Sequence, residues 1–167
     1  MARRVFFSFH YELDYWRTQQ VRNINAISGQ AIASAQKWEQ VKRGGDQAIK
    51  NWIDAQMYGK GCLVVLVGEK TSDRAWVQYE ILKAWNDGKG VLGIHVNKLK
   101  DMFGLQGNKG ANPFSRYSLC DRRISMSSVV PLKTPTGVTS QQAYASISSN
   151  LGLWIEDAIK IRRDFKC

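Results

Sequence analysis

Apolar positions along the chain fall into two kinds of run. An unbroken run occupies residues 62–67, near-continuous ones occupy 4–10 and 91–96, and a shorter one lies at 128–132. Continuous apolar stretches of this length, closed by glycine or polar residues, predict strands covered on both faces. Between them the apolar residues recur every three or four positions, which predicts helices. The first helix is expected over 14–27, with Trp16, Val21, Ile24 and Ile27 as its buried stripe and Ser28-Gly29 as its stop. Another starts from Asp46 as N-cap and runs to about 58, with Ile49, Trp52, Ile53 and Met57 on one face. A third follows the 62–67 strand, with Val77, Ile81, Ala84 and Trp85 turned to the core, and stops at Asp87-Gly88-Lys89-Gly90. The longest covers 140–165, with Tyr144, Ile147, Leu151, Trp154, Ile155, Ala158, Ile161 and Phe165 at helical spacing.

Two stretches lack a clear period. Residues 30–39 are weakly patterned, and Lys37-Trp38-Glu39 reads as a short edge strand before a loop at 42–45. Residues 98–123 are polar, rich in glycine and asparagine, and contain the turn signal Asn112-Pro113-Phe114. A segment of that length without its own period is uncommon in a compact domain and is often functional.

Strands alternating with helices predict an α/β fold, with a mostly parallel sheet of four to five strands and helices on both faces. A central first strand makes this a flavodoxin-like, doubly wound order. The ligand site of such a sheet lies beyond the carboxyl ends of its strands, at the switch point between the first and third. Here Ser8-Phe9-His10-Tyr11 would bound that crevice on one side and the segment from Gly68 to Glu80 on the other. A chain of 167 residues is expected to be one domain over 1–167.

Composition narrows the class. Apolar residues make up 44% and charged residues 23%, a globular balance, and no apolar run approaches a membrane span of ~18 residues. Met-Ala-Arg-Arg is basic, but the apolar run after it is too short for a secretion signal, so a cytoplasmic protein is expected. Three cysteines, odd in number and without a C-x-x-C pair, fit a reducing compartment and give no zinc signal. Lysine and arginine exceed aspartate and glutamate by 24 − 14 = 10. Such an excess attracts polyanions: nucleic acid, phosphate-rich small molecules or acidic partners. The basic residues are scattered rather than gathered on one helix, so a nucleic-acid partner rests on charge alone, and a soluble basic surface is the simpler reading.

The candidate chemistry centres on Glu80. It sits three residues after Val77 and four after Trp76, on the flank of a core-facing helix stripe. A shielded carboxylate there could oppose developing positive charge or hold hydroxyl groups. The plainer reading is a solvated helix glutamate paired with Lys83 or Arg74. Trp76 is either core or a stacking surface for a flat ring. His10 and His95 both fall late in strands that end at one rim, but no third ligand is spaced to complete a metal site. G-x-G-x-x-G and G-x-x-x-x-G-K-[ST] are both missing, which argues against dinucleotide-dependent hydride transfer and P-loop chemistry. Ser8 ends a strand without the G-x-S-x-G elbow of a nucleophile.

Val5-Phe6-Phe7-Ser8-Phe9 resembles the first strand of TIR domains, and Trp76-Val77-Gln78-Tyr79-Glu80-Ile81 resembles their tryptophan–valine–x–x–glutamate segment. Arg4 to Tyr11, Val21-Arg22-Asn23, Trp38-Glu39, Gly93-Ile94-His95-Val96-Asn97 and Lys109-Gly110-Ala111-Asn112-Pro113-Phe114 are similar, in type and order, to the ThsB family of TIR-like subunits in Thoeris anti-phage defence. The resemblance covers most of residues 3–118 and fades over the last third. It implies a flavodoxin-like TIR fold and cleavage of NAD, as substrate rather than cofactor, with no metal. The family's catalytic glutamate falls on Glu80 and its neighbouring tryptophan on Trp76, with Phe7, Ser8 and His10 expected to line the pocket. The product would be a cyclic ADP-ribose-type or related nucleotide that diffuses to a separate effector after a phage-derived trigger, made by a homo-oligomer away from any membrane. Typical TIR enzymes carry arginine or another polar group just past the first strand, where this chain has His10-Tyr11. The competing expectation is a TIR-like module that binds a protein or a nucleotide without turning it over.

Overall fold

The computed structural model describes residues 3–24, 27–29 and 35–167. Five parallel strands form one sheet: β1 (Arg3–Ser8), β2 (Ile27–Gly29), β3 (Cys62–Val67), β4 (Gly90–His95) and β7 (Leu132–Lys133), in the order β2-β1-β3-β4-β7. β1 is therefore inside the sheet, and the order reverses between β1 and β3, as a doubly wound fold requires. Register places Ser8 beside Val65 and Val67 beside His95, so the carboxyl ends of the three longest strands share one rim.

β3 shows why the unbroken apolar runs are strands. All six of its residues are buried. Cys62, Val64 and Leu66 face a layer made by α1 (Tyr11–Arg22) and α5 (Ser140–Asp164), together with Val21, Ile147, Leu151 and Ile155. Leu63, Val65 and Val67 face the opposite layer, made by α3 (Gly45–Met57) and α4 (Ala75–Asn86), with Ile49, Ile53, Val77 and Ile81. Gly90 lets α5 lie directly on β4, since a Cβ there would sit 2.8 Å from the Ile159 amide nitrogen. α5 begins at a capping box in which Thr139 and Gln142 satisfy each other's backbone amides. At its far end, Arg162 Nε donates to the Trp85 carbonyl at 3.0 Å and its guanidinium lies 4.4 Å from the Trp85 ring centre. Phe165 packs on the same ring at 5.3 Å.

Several expected elements are placed differently. The first helix starts earlier and ends earlier than 14–27, and Ile27 opens β2 instead of closing a helix. Its buried side is polar: Asp14, Arg17 and Thr18 join Val21, whereas Trp16 is 54% exposed. The reason is a clamp. Arg17, paired with Asp14 at 2.7 Å, donates to the carbonyls of Leu99 and Leu105 at 2.7 and 3.1 Å. Trp38 belongs to a helix, α2 (Ala35–Arg43), rather than an edge strand, and residues 30–34 lie outside the described ones. Only Gly44 separates α2 from α3; it is the N-cap, and Asp46 sits in the first turn. The last strand shifts from 128–132 to Leu132–Lys133, behind a single 3-10 turn at Met126–Ser128.

The 98–123 segment is ordered. Asn112 accepts from the Phe114 amide at 2.9 Å and caps a 3-10 turn, Pro113–Arg116, that buries Phe114 completely. A small hairpin follows, β5 (Ser118–Leu119) with β6 (Ile124–Ser125). The cysteine expectation is corrected here. Cys120, at the turn of this hairpin, forms a disulfide with Cys167 across 47 residues of sequence, because α5 delivers the chain's last residues beside it. Cys62 remains a free thiol, buried in β3 and pushed up to about 12. Among the described residues no helix is long and apolar enough to cross a membrane.

Candidate active site

The third strand ends at Val67, and the Gly68 amide donates to Thr71 Oγ1 at 2.8 Å, turning the chain into a single 3-10 turn at Thr71–Asp73. Asp14 leans against that turn so closely that a Cβ on Gly68 would lie 2.1 Å from its carboxylate oxygen. Arg74 then takes an extended conformation as the N-cap of α4. Helical phase carries Val77, Glu80, Ile81 and Ala84 inward against the sheet. Glu80 is thus the one carboxyl on the buried side of α4, only 8% exposed.

Its partner comes from the first strand. Ser8, itself 1% exposed, donates from Oγ to Glu80 Oε1 at 2.8 Å. Neither ion pair of the plainer reading forms: Lys83 bonds Asp87 and Arg74 bonds Glu12. Burial pushes the Glu80 carboxyl up to about 8, and the hydroxyl of Ser8 restrains that rise. With no positive charge beside it, the group is mostly protonated at neutral pH.

Glu80 lines a narrow cleft of about 70 Å³ between β1 and α4, smaller than the roughly 300–1,000 Å³ of fully formed small-molecule sites. Arg74 and Trp76 form one wall, with Phe7 in the floor. The other wall is aromatic. Tyr11 stacks on Phe9 with ring centres 5.6 Å apart and on Trp38 at 5.8 Å, and Trp38 meets Trp52 at 5.7 Å. Trp76 stands edge-on to Tyr79 at 5.8 Å, is half-buried and lines the cleft.

The expected site residues separate into two groups. Glu80, Trp76 and Phe7 line the cleft, and Ser8 reaches it through Glu80. His10 does not. Its ring turns back to cap α1, accepting from the Leu13 amide at 3.2 Å, and burial and the nearby Arg74 lower its pKa. His95, at the end of β4, is buried apart from the cleft and pushed down to about 4 by desolvation and Lys109. Among the described residues no three His, Cys, Asp or Glu side chains are grouped to hold a metal ion. Sequence reasoning missed Trp38 and Trp52 as cleft residues, since one lay in a weakly patterned stretch and the other on a core stripe. It also gave Arg74 no role beyond a partner for Glu80.

A doubly wound sheet with a buried glutamate at its switch point, on the helix after the third strand, defines a TIR-like α/β protein. The family model described as the TIR-like domain of the Thoeris protein ThsB matches residues 6–101, more than half of the chain. The chain belongs to this ThsB TIR-like family. A Bacillus cereus (strain MSX-D12) protein named "Putative cyclic ADP-D-ribose synthase ThsB1" is 40% identical over 120 residues, covering 68% of this chain and 62% of that protein. The chain thus matches less than two thirds of that relative's length. The family match spans β1 to β4 and every cleft residue named above, and leaves the β5–β6 hairpin, the disulfide and α5 outside it.

Proposed function

We propose that this protein cleaves NAD between nicotinamide and ribose and turns the ADP-ribosyl part into a cyclic ADP-ribose-type or related signalling nucleotide in anti-phage defence. The observation that carries the reading is the Glu80 carboxyl, buried at the foot of an open, aromatic-walled cleft and held by Ser8 at 2.8 Å. The name of the Bacillus cereus relative supports the same class of product.

The chemistry asks little of the protein beyond that carboxyl. When the N1–C1′ bond breaks, its electron pair stays with the cationic nicotinamide ring, which leaves neutral. No general acid is needed. Positive charge moves to the ribose, as in other glycosyl transfers. A carboxylate facing the ring would stabilise that charge, more strongly where water is excluded. A nucleophile then closes on C1′: water gives ADP-ribose and a proton, and an atom of the same molecule gives a ring.

Only the ionised form of Glu80 can do this. The nicotinamide ring carries the positive charge that favours ionisation, so binding of NAD releases the Glu80 proton. Trp76, half-buried at the cleft, offers a flat face to a ring of the substrate. Around this reaction stand a phage-derived trigger, an effector that receives the nucleotide, and a homo-oligomer as the working form.

The direct test is Glu80→Gln. In cells challenged with phage, the wild-type protein should consume NAD and release nicotinamide, and the folded variant should not. A variant that releases nicotinamide at the wild-type rate refutes the assignment. Mass spectrometry of the small molecules from the same cells identifies the product.

A further inference from the structure

Arg74 lines the switch-point cleft, and Glu12 follows Tyr11, which lines it from the side of α1. Glu12 lies in the first turn of α1, just past the first strand, and Arg74 immediately precedes α4. The Arg74 guanidinium donates to Glu12 Oε2 at 3.2 Å, and the two side chains are 47% and 55% exposed. This bridge ties the first turn of α1 to the amino end of α4, beside the cleft.

Arg74 is the one cation among the described residues that line the cleft. It also stands at the amino end of a twelve-residue helix whose first amides have no side-chain cap. Free amides and the helix dipole favour an anion at such an end. Guanidinium adds a planar pair of donors suited to phosphate oxygens. Its partner is replaceable, because an exposed ion pair of this kind is weak. Glu12 Oε2 also approaches His10 Nδ1 at 3.7 Å, but that nitrogen accepts from the Leu13 amide and so carries no proton to offer. Glu12 therefore depends on Arg74, while Arg74 can exchange Glu12 for a better anion.

We propose that Arg74 binds the diphosphate of the nucleotide, and that Glu12 is its built-in competitor, a strap beside the cleft that the diphosphate displaces. The proposal rests on the reading of a dinucleotide substrate and adds to it the residue that holds the phosphates. It supplies from the α4 rim the positive charge that the His10-Tyr11 rim lacks.

The test is calorimetric titration of the full chain with ADP and with adenosine, neither of which can be cleaved here, using R74Q, E12Q and R116Q. Arg116 pairs with Asp73 on the surface and does not line the cleft, so R116Q controls for loss of one positive charge. R74Q should weaken ADP binding about 10-fold or more and leave adenosine unchanged, as loss of a charge-assisted hydrogen bond implies. E12Q should tighten ADP binding, and R116Q should match the wild type. Unfolding temperatures of all three variants confirm that each is folded. R74Q binding ADP like the wild type, R116Q losing as much as R74Q, E12Q weakening ADP, or a wild type that binds ADP no better than adenosine would each overturn the proposal. None of these results touches the role of Glu80, which stands or falls on nicotinamide release by Glu80→Gln.

Discussion

Glu80→Gln should make the folded protein more stable at alkaline pH, by an amount that grows with pH. In the fold the Glu80 carboxyl is held at about 8 instead of 4.5, because it is buried, with only the Ser8 hydroxyl favouring its charged form. The unfolded chain releases the proton near the ordinary value. Between those two pH values the folded state holds a proton that the unfolded state has lost, so stability falls as pH rises. The contribution is whole below about 4.5 and is lost as pH climbs through about 8. At ~1.4 kcal/mol per pH unit, the full span corresponds to about 5 kcal/mol as an upper bound. Water entering the open cleft rehydrates part of the carboxylate, which brings the expected loss to about 2–4 kcal/mol. Glutamine keeps the shape, still offers a carbonyl oxygen to Ser8 Oγ, and cannot ionise. Its amide group adds an offset that does not vary with pH, so the diagnostic is the slope. Thermal unfolding of both proteins from pH 5 to pH 9 measures it. Asp14, His95 and the other titrating groups are common to both and cancel in the difference. At ~2–4 °C per kcal/mol for a chain of this size, Glu80→Gln should gain about 5–15 °C on the wild type between the two ends of the range. Two melting curves that run parallel across it would refute the burial argument for Glu80.

Two further outcomes are expected. The kcat/KM for nicotinamide release should rise with pH and level off above about 8, where Glu80 of the free protein is ionised, and Ser8→Ala should move that rise to higher pH, because the hydroxyl bond that lowers the Glu80 pKa is gone; an unmoved profile would mean the bond does not act on the carboxyl. Cys120→Ser should cost about 3 kcal/mol of stability, as loss of a cross-link closing a long loop implies; reductant should lower the wild type to the same melting temperature and leave the variant where it is.

What could be read from the sequence follows from which residues face the core. β3 and β4 were legible because both of their faces are apolar, and α5 because its stripe of Ile147, Leu151 and Ile155 holds its period. α1 was phased wrongly because its inward positions are Asp14, Arg17 and Thr18, placed there to hold the carbonyls of the 99–105 loop, while Trp16 faces solvent. α2 does not stand out in the sequence because its inward side is only Trp38 and Val41, half-buried against the core, too short a stripe to show a period. Glu80 could be placed on the flank of a buried face from spacing alone, but its bond to Ser8 depends on the register of β1 beside β3, which no local pattern carries. The cysteine pair was invisible for the same reason, since its members meet only when the chain's end returns to the β5–β6 hairpin.

The grip of α5 on Trp85 sets how α4 can move. Arg162 and Phe165 hold the carboxyl end of α4, and the disulfide fastens the segment that follows them. The amino end carries Arg74 and Trp76 and faces an open cleft. A tilt of α4 would turn about its held end near Trp85. At 1.5 Å per residue, Glu80 stands about 8 Å from that pivot and Arg74 about 16 Å. A tilt that closed the cleft would carry Arg74 roughly twice as far as Glu80, so the phosphate-facing end could travel to meet a ligand while the carboxyl stays nearly where Ser8 holds it.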